Sequence, residues 1–498
     1  MVIKVLCALC LLFLAGKMVV YHHNIIFNPF PNEYREGAML TTTAGLVRGV
    51  NPFELNNQPQ YMNDYGVFYS IVTWPFAKIC GVTMVVHRAV TAFFMFACCA
   101  LMFWVMRRLK TDWLLSSAAI VFFYVFSLYP GTTTPLANPS PLGLFLFLCA
   151  LFVPWSRGFT YPTLVLSAVL GILGYYTKPY FLLSVPMLAV YLFCCVSKRK
   201  SIVFFGMFAV MMFLSVLWVN HTWNCYFANC FFLHMNPGHL SWGQSVRQLK
   251  EFIFLNRVVL IAPAITLAVG WFLDRHDLFK WFRERRPVSF ILYCTVFSSF
   301  VLVFWLGKHE EAYLWYYFHL LSPFLLICMA HSLTRRLPWA LVLVPFLVWN
   351  CWTDTARHDN VKFDFQNEDW TQVKAMIASH KDILNSPLIA PLLVELNRPV
   401  YDNGLSEYFK KGGYRETPLV EMLSKGDPRI IVRYYAFMNE MKEKIRQRKF
   451  DLVLIAFDYA PLVPGEIKDY YRMLGMVNLK TPPIMGAWNI TIWVPNDK

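Results

Sequence analysis

The sequence predicts a polytopic α-helical membrane protein of about eleven transmembrane helices, with interfacial helices in its first outward loop and a C-terminal mixed α/β soluble domain. Three observations predict it. First, 57% of the 498 residues are apolar and only 15% are charged, whereas soluble domains carry about 25% charged residues. Second, the deficit is confined to residues 1–352, a series of long apolar runs, and from Thr353 onward the composition is that of an ordinary soluble domain. Third, the basic residues behind the net charge of +15 gather in short links between the runs: Arg107, Arg108 and Lys110; Lys198, Arg199 and Lys200; Arg275 through Arg286; Arg335 and Arg336. That placement is the positive-inside pattern of a membrane protein and not a nucleic-acid footprint. The chain therefore divides into a membrane part, 1–352, and a soluble part, 353–498.

A spanning helix needs about 20 mostly apolar residues. The expected spans are 3–21, 87–106, 112–129, 138–155, 160–177, 180–197, 202–220, 257–273, 288–306, 314–331 and 337–352. The first has no A-x-A cleavage site and reads as a retained span, not a signal peptide. Runs 160–177 and 180–197 form one apolar block broken at Lys178–Pro179, where the proline and the cost of burying a lysine predict a hairpin turn at a membrane face. Residues 65–82 are apolar too, but a span there would scatter the basic links over both faces. Laid flat in the interface, with Tyr65, Tyr69, Trp74 and Lys78 at headgroup level, they leave every basic cluster on the N-terminal side. The expected protein is thus a multi-pass inner (plasma) membrane protein with a cytoplasmic N-terminus. Loops 22–86, 130–137, 221–256 and 307–313 and the soluble part face outward.

In the soluble part, strands are expected at Arg429–Val432, Asp451–Phe457 and Ile490–Val494, and helices at Trp370–His380 and Tyr434–Arg448. It has no Gly-rich phosphate loop, zinc-ligand spacing or nucleophile elbow, so a lid, an acceptor platform or a structural cap are its expected roles. The thirteen cysteines sit mostly in or beside apolar runs and read as small buried hydrophobes. Cys225 and Cys230 read as exposed on a loop, where a disulfide is open to them. No histidine pair has metal-binding spacing on one helix, and no metal site is predicted.

The first outward loop carries the chemistry-bearing pattern. Glu33 and Glu36, three apart, share a helix face just beyond the first span. A carboxylate at the rim of a dry cavity suits a general base, because burial raises its pKa toward working pH. The competing reading is structural: the two acids cap a helix and pair with Arg35 or Arg48. Lys178 offers a point charge to a phosphate, or else snorkels to the interface.

The order Glu33-Tyr34-Arg35-Glu36-Gly37-Ala38-Met39-Leu40, Asn51-Pro52-Phe53, Asp64-Tyr65-Gly66-Val67-Phe68-Tyr69, then His87-Arg88 opening a span, resembles the bacterial GT-C glycosyltransferases. Protein O-mannosyltransferases and lipid A aminoarabinose transferases are among them. The resemblance covers residues 1–350 and extends to Thr177-Lys178-Pro179, to Gly307-Lys308 through Tyr317 and to Leu320-Leu321-Ser322-Pro323. It implies a membrane enzyme that moves a sugar from a polyprenyl-phosphate donor to a glycan, lipid or protein acceptor at the outer face, with inversion. It implies an acidic base in the first outward loop. Glu33 stands where the family usually has Asp, Glu36 matches the second acid, which positions the acceptor or helps hold a divalent cation, and Asp64 is the fallback base. Lys178, Lys308 and Arg257 are implied for the donor phosphate, and Tyr34, Tyr65 and His309 for substrate contact. No other cofactor is implied, and membrane lipids are the remaining partners. The chain departs from the family in its second outward loop, where Asn138-Pro139-Ser140-Pro141 replaces an Arg-Pro-Asp type motif.

Two other classes fit part of the pattern. A flippase for a lipid-linked sugar predicts ionisable residues within the spans and inverted repeats, whereas here the polar residues crowd one face. A non-catalytic envelope scaffold is consistent with the missing second-loop charges.

Overall fold

The computed structural model describes residues 2–58, 60–61, 63, 65–128, 136–230, 242–255, 286–304, 317–334, 344–345, 348, 367–403, 428–456, 467–481 and 486–496. Asp64, Arg257, Lys308, His309, the expected span 257–273 and nearly all of 337–352 lie outside these described residues.

The membrane part contains α1 (Val2–Ile26), α2 (Glu36–Val47), α3 (Phe68–Cys80), α4 (Met84–Arg108), α5 (Trp113–Leu128), α6 (Ser140–Ser156), α7 (Tyr161–Tyr175), α8 (Ser184–Tyr191), α9 (Lys198–Thr222), α10 (Tyr226–Cys230), α11 (Trp242–Leu255), α12 (Arg286–Phe304) and α13 (Ser322–Thr334). Val2–Ile26, Met84–Arg108, Pro179–Val196 and Lys198–Thr222 are long and apolar enough to cross a membrane, and α5, α6, α7, α12 and α13 carry shorter apolar helical stretches. Each falls on an expected span. The helices begin where local chemistry satisfies their free amides. Thr83 Oγ1 accepts from Val86 N at 3.2 Å to start α4, and Ser197 Oγ accepts from Lys200 N at 3.4 Å to start α9. The predicted hairpin is present: α7 ends at Tyr175, and a 3-10 turn over Pro179–Leu183 leads back into α8. With thirteen residues, α3 is too short to span, being about 20 Å long against the ~30 Å of a bilayer's hydrocarbon core.

The helices pack around one large apolar cluster containing Leu14, Cys98, Met102, Phe123, Phe147, Leu188 and Phe324. At one end of the bundle the basic links meet: Arg108 Nη1 donates to Ser156 O at 3.0 Å, and Lys200 Nζ to Phe159 O at 2.9 Å. At the other end the first loop meets the tops of α7 and α9, with Phe68 N donating to Tyr176 O and Cys225 N to Phe53 O, both at 3.0 Å.

The soluble part contains α14 (Glu368–Ser379), β1 (Ile383–Asn385), α15 (Ala390–Glu395), α16 (Pro428–Arg446), β2 (Leu452–Ala456), α17 (Ile467–Tyr470), β3 (Tyr471–Thr481) and β4 (Gly486–Pro495). Its sheet has the order β1-β2-β4-β3, with β1 parallel to β2 and the other pairs antiparallel. It does not stand apart. A second core is built jointly from Phe30, Tyr34, Met39 and Leu40 of the first loop and Trp370, Leu388, Leu392 and Trp488 of the soluble part. Phe30 stacks on Trp370 with ring centroids 5.6 Å apart, and Tyr34 lies 5.8 Å from Trp488.

Two expectations are corrected, and one strand is added that the sequence reading lacked. Arg429–Val432 is not a strand but the first turns of α16. Ile430 and, further along, Phe437, Met438, Met441 and Ile445 are buried at helical spacing, and that stripe overrides the three β-branched residues Ile430, Ile431 and Val432. The edge strand β3 went unread because exposed Met473, Leu474 and Met476 and a bulge beside Gly475 break its alternation. Cys225 and Cys230 are buried beside and on α10 and are not joined in a disulfide, and Cys230 Sγ donates to Tyr65 O at 3.2 Å.

Candidate active site

The acidic loop is pinned by a residue from α4. Arg88, fully buried, spends its guanidinium on five oxygens. Nε donates to Glu36 Oε1 at 2.7 Å, Nη1 to Ile25 O at 3.1 Å and Asn28 O at 2.7 Å, and Nη2 to Phe30 O at 2.9 Å and Glu36 Oε2 at 2.7 Å. Glu36 accepts two further bonds, from Asn32 N at 2.9 Å and Ala137 N at 3.2 Å. Four donors match the roughly four lone-pair positions of a carboxylate. Burial pushes the Glu36 carboxyl up, but the charge and hydrogen bonds of Arg88, with those of Asn32 and Ala137, outweigh it and hold the group below its ordinary value. Asn32 adds a bond from Nδ2 to Ile25 O at 3.3 Å and accepts one from Asn28 Nδ2 at 2.6 Å. The turn from 25 to 36 is thereby held at both ends.

Glu33 sits inside that turn, before α2 begins, and Glu36 opens the helix. The two acids do not share one helix face. Glu33 is 2% exposed and pairs with Arg35, whose guanidinium lies 5.7 Å from the Tyr34 ring centre. Tyr34 turns toward Trp488 of the soluble part.

Lys178 is buried at the head of the α7–α8 hairpin, and its Nζ stands 4.6 Å from the Tyr65 ring centre and 5.9 Å from that of Tyr180. Aromatic faces suit a buried cation. Tyr65 is seated by an Asx turn: its N donates to Asn63 Oδ1 at 2.9 Å, and Asn63 Nδ2 donates to Thr42 Oγ1 of α2 at 2.7 Å. The backbone closes the same junction through Gly66, whose N bonds to Thr177 O at 3.2 Å. A Cβ at Gly66 would stand 1.9 Å from Tyr176 O, so no other residue fits there without movement. Tyr180 extends the polar lining, with its hydroxyl 3.3 Å from His319 Nε2 and 3.5 Å from Ser140 Oγ. Glu33, Tyr34, Tyr65 and Lys178 all belong to the end of the bundle opposite the basic links. Tyr34 and Tyr65 contribute to the same joint core. Among the described residues no group of three or more His, Cys, Asp or Glu side chains is placed to hold a metal ion.

No family model and no curated protein sequence matches this chain. Solved structures do. ArnT from Cupriavidus metallidurans bound to undecaprenyl phosphate superposes at a TM-score of 0.57 over 96% of this chain and 97% of its own, at 11% identity. The chain has the GT-C fold. The apo form of the same ArnT gives a TM-score of 0.57 at 13% identity over 97% of each chain. An Archaeoglobus fulgidus oligosaccharyltransferase tethered to an acceptor peptide aligns over 99% of this chain and 76% of its own, at 10% identity and a TM-score of 0.46. The GT-C likeness to ArnT includes the soluble part, so the acidic loop, the α7–α8 hairpin and the sheet domain are parts of one architecture.

Sequence reasoning passed over Arg88 as a site residue, although a charge one turn inside a span is itself a signal. It also passed over Tyr180 and gave His319 a bland reading. Tyr180 stands only two residues from Lys178, but His319 had no local signal, because its approach to Tyr180 arises from packing between the 3-10 turn Pro179–Leu183 and the turn before α13.

Proposed function

We propose that this protein is an integral-membrane glycosyltransferase that moves a sugar from a polyprenyl-phosphate donor to a glycan, lipid or protein acceptor at the outer face of the membrane. The observation that carries the reading is a buried acid, Glu33, and a buried cation, Lys178, at the same end of a GT-C bundle. The positive-inside rule places the opposite, basic end in the cytoplasm. The ArnT of like fold was crystallised with undecaprenyl phosphate, which supports a donor of that class here.

In the proposed step the Glu33 carboxylate takes the proton of the acceptor hydroxyl as its oxygen attacks the anomeric carbon. The bond from that carbon to the phosphate oxygen breaks, and the electron pair leaves with the polyprenyl phosphate. Lys178 meets the charge that develops on the leaving phosphate. A phosphate leaves without a strong general acid, so one carboxylate suffices, and a single displacement inverts the anomeric centre. Glu36, its lone pairs occupied, shapes the loop and takes neither acceptor nor cation. Lys308 and Arg257 are proposed as further contacts to the donor phosphate, Tyr34, Tyr65 and His309 as substrate contacts, and Asp64 as the fallback base.

The test is turnover of purified protein with a panel of polyprenyl-phosphate sugars and envelope acceptors. Wild type is expected to release free polyprenyl phosphate, and Glu33→Gln to release it about 10²- to 10⁴-fold more slowly. Equal turnover by Glu33→Gln removes the base assignment.

A further inference from the structure

The acidic loop is held by Arg88, and Arg88 rides on the first turns of α4. What holds those turns comes from the far end of the chain. Met84 N, a free amide of the α4 N-terminus, donates to Glu395 Oε1 at 2.8 Å, across 311 residues of sequence. A carboxylate at that position also complements the positive end of a 25-residue helix. Arg88 Nη2 touches Met84 Sδ at 3.5 Å, and Arg88, Lys374 and Glu36 are near enough to act on the Glu395 charge. Just before Glu395, α15 lies on α2: a Cβ at Gly37 would stand 2.8 Å from Ala390 Cβ and 3.2 Å from Pro387 O. After α15, Asn397 accepts a hydrogen bond from Arg48 at the other end of α2. Segment 387–397 therefore grips α2 at both ends and the head of α4 in between.

We infer that Glu395 is a positioning residue, and that segment 387–397 of the soluble part is the clasp that fixes the acidic turn 25–36 through Met84 and Arg88. On this inference the soluble part is a wall of the site and not a lid over it. Its turnover arm rests on the glycosyl-transfer reading, and its structural arm does not.

The experiment is hydrogen exchange on the full chain in detergent, with turnover measured alongside. Glu395→Ala is expected to raise exchange across residues 27–40 and 84–88 while α9 keeps its protection, and to lower kcat about 10- to 100-fold with the donor KM unchanged, the scale of a small misplacement of reacting groups. Glu395→Gln, which still accepts from Met84 N, is expected to recover most of both. Gly37→Ala is expected to mimic the loss, and the double variant Gly37→Ala/Ala390→Gly to reverse it, because the closest contact is Cβ to Cβ. Wild-type exchange at 27–40 in Glu395→Ala overturns the clasp, whatever the turnover. Raised exchange in a protein that turns over no donor supports the clasp and counts only against the transferase reading.

Discussion

Glu36 and Arg88 form a bidentate ion pair with no solvent exposure, 52 residues apart in sequence and joined by two 2.7 Å hydrogen bonds. A buried pair of this kind is often neutral when exchanged for apolar residues. Here the exchange would not be neutral. Arg88 also satisfies the carbonyls of Asn28 and Phe30 and shares that of Ile25, and Glu36 satisfies the amides of Asn32 and Ala137, so removing both side chains takes the partner from four buried backbone groups.

Arg88→Ala is therefore expected to cost about 3–5 kcal/mol, the usual price of leaving a buried partner charge alone. The double variant Arg88→Leu/Glu36→Leu is expected to remain well below wild type. Thermal unfolding in detergent checks both, and a double variant as stable as wild type would show that the backbone groups find other partners.

Glu33→Gln and Glu36→Gln should part company. Loss of a general base is expected to cost about 10²- to 10⁴-fold in kcat, with Glu33→Gln unfolding close to wild type. Glu36→Gln should lose stability first and activity as a consequence. Paired melting curves and turnover measurements separate the two patterns, and identical behaviour would contradict the division of labour.

The pH dependence of stability follows from Glu36. Its folded carboxyl lies below its ordinary value, so the folded state binds the proton more weakly than the unfolded chain does. The stabilisation is then fully present above the unfolded carboxylate value of about 4.3 and is lost as pH falls through the folded value. Wild type minus Glu36→Gln, measured as melting temperature from pH 8 to pH 3, should stay level down to about that value and shrink below it.

Lys178→Met keeps an unbranched apolar stem among Tyr65 and Tyr180 while deleting the charge. Loss of a charge-assisted phosphate contact, worth about 1.5–3 kcal/mol, should weaken undecaprenyl phosphate binding about 10- to 100-fold. Lipid-binding titration reads this directly, and unchanged affinity would leave Lys178 as a packing residue.

Gly66→Ala drives a Cβ into the backbone carbonyl of Tyr176 and opens the bonds that seat the first loop on α7. Overpacking of this kind costs about 1–3 kcal/mol. Because the displaced segment carries Tyr65, donor binding should fall together with stability, whereas Gly206→Ala, with open space around its Cβ position on α9, should spare both.

The membrane body was legible because its evidence is local. Apolar runs of spanning length, the break at Lys178–Pro179 and the one-sided basic links are all written in consecutive residues, and each described span falls where they place it. The candidates Glu33 and Lys178 were legible through the order of short motifs. In the soluble part, β2, β4 and the helix at Trp370 were readable from alternation and periodicity. The strand reading at Arg429–Val432 failed because four residues do not distinguish a strand from the first turn of an amphipathic helix.

The sequence by itself determined a membrane body, its basic end and the acidic loop, since hydrophobicity and charge placement act residue by residue along the chain. Only the tertiary structure decided which acid Arg88 holds and how residues 367–403 meet the first loop. Glu33 and Glu36 are alike in sequence, and they differ because Arg88, 52 residues from Glu36, donates to one carboxylate of the pair. The grip of residues 387–397 on α2 and α4 is likewise a contact across more than 300 residues, set by how two cores close on each other and carried by no local pattern.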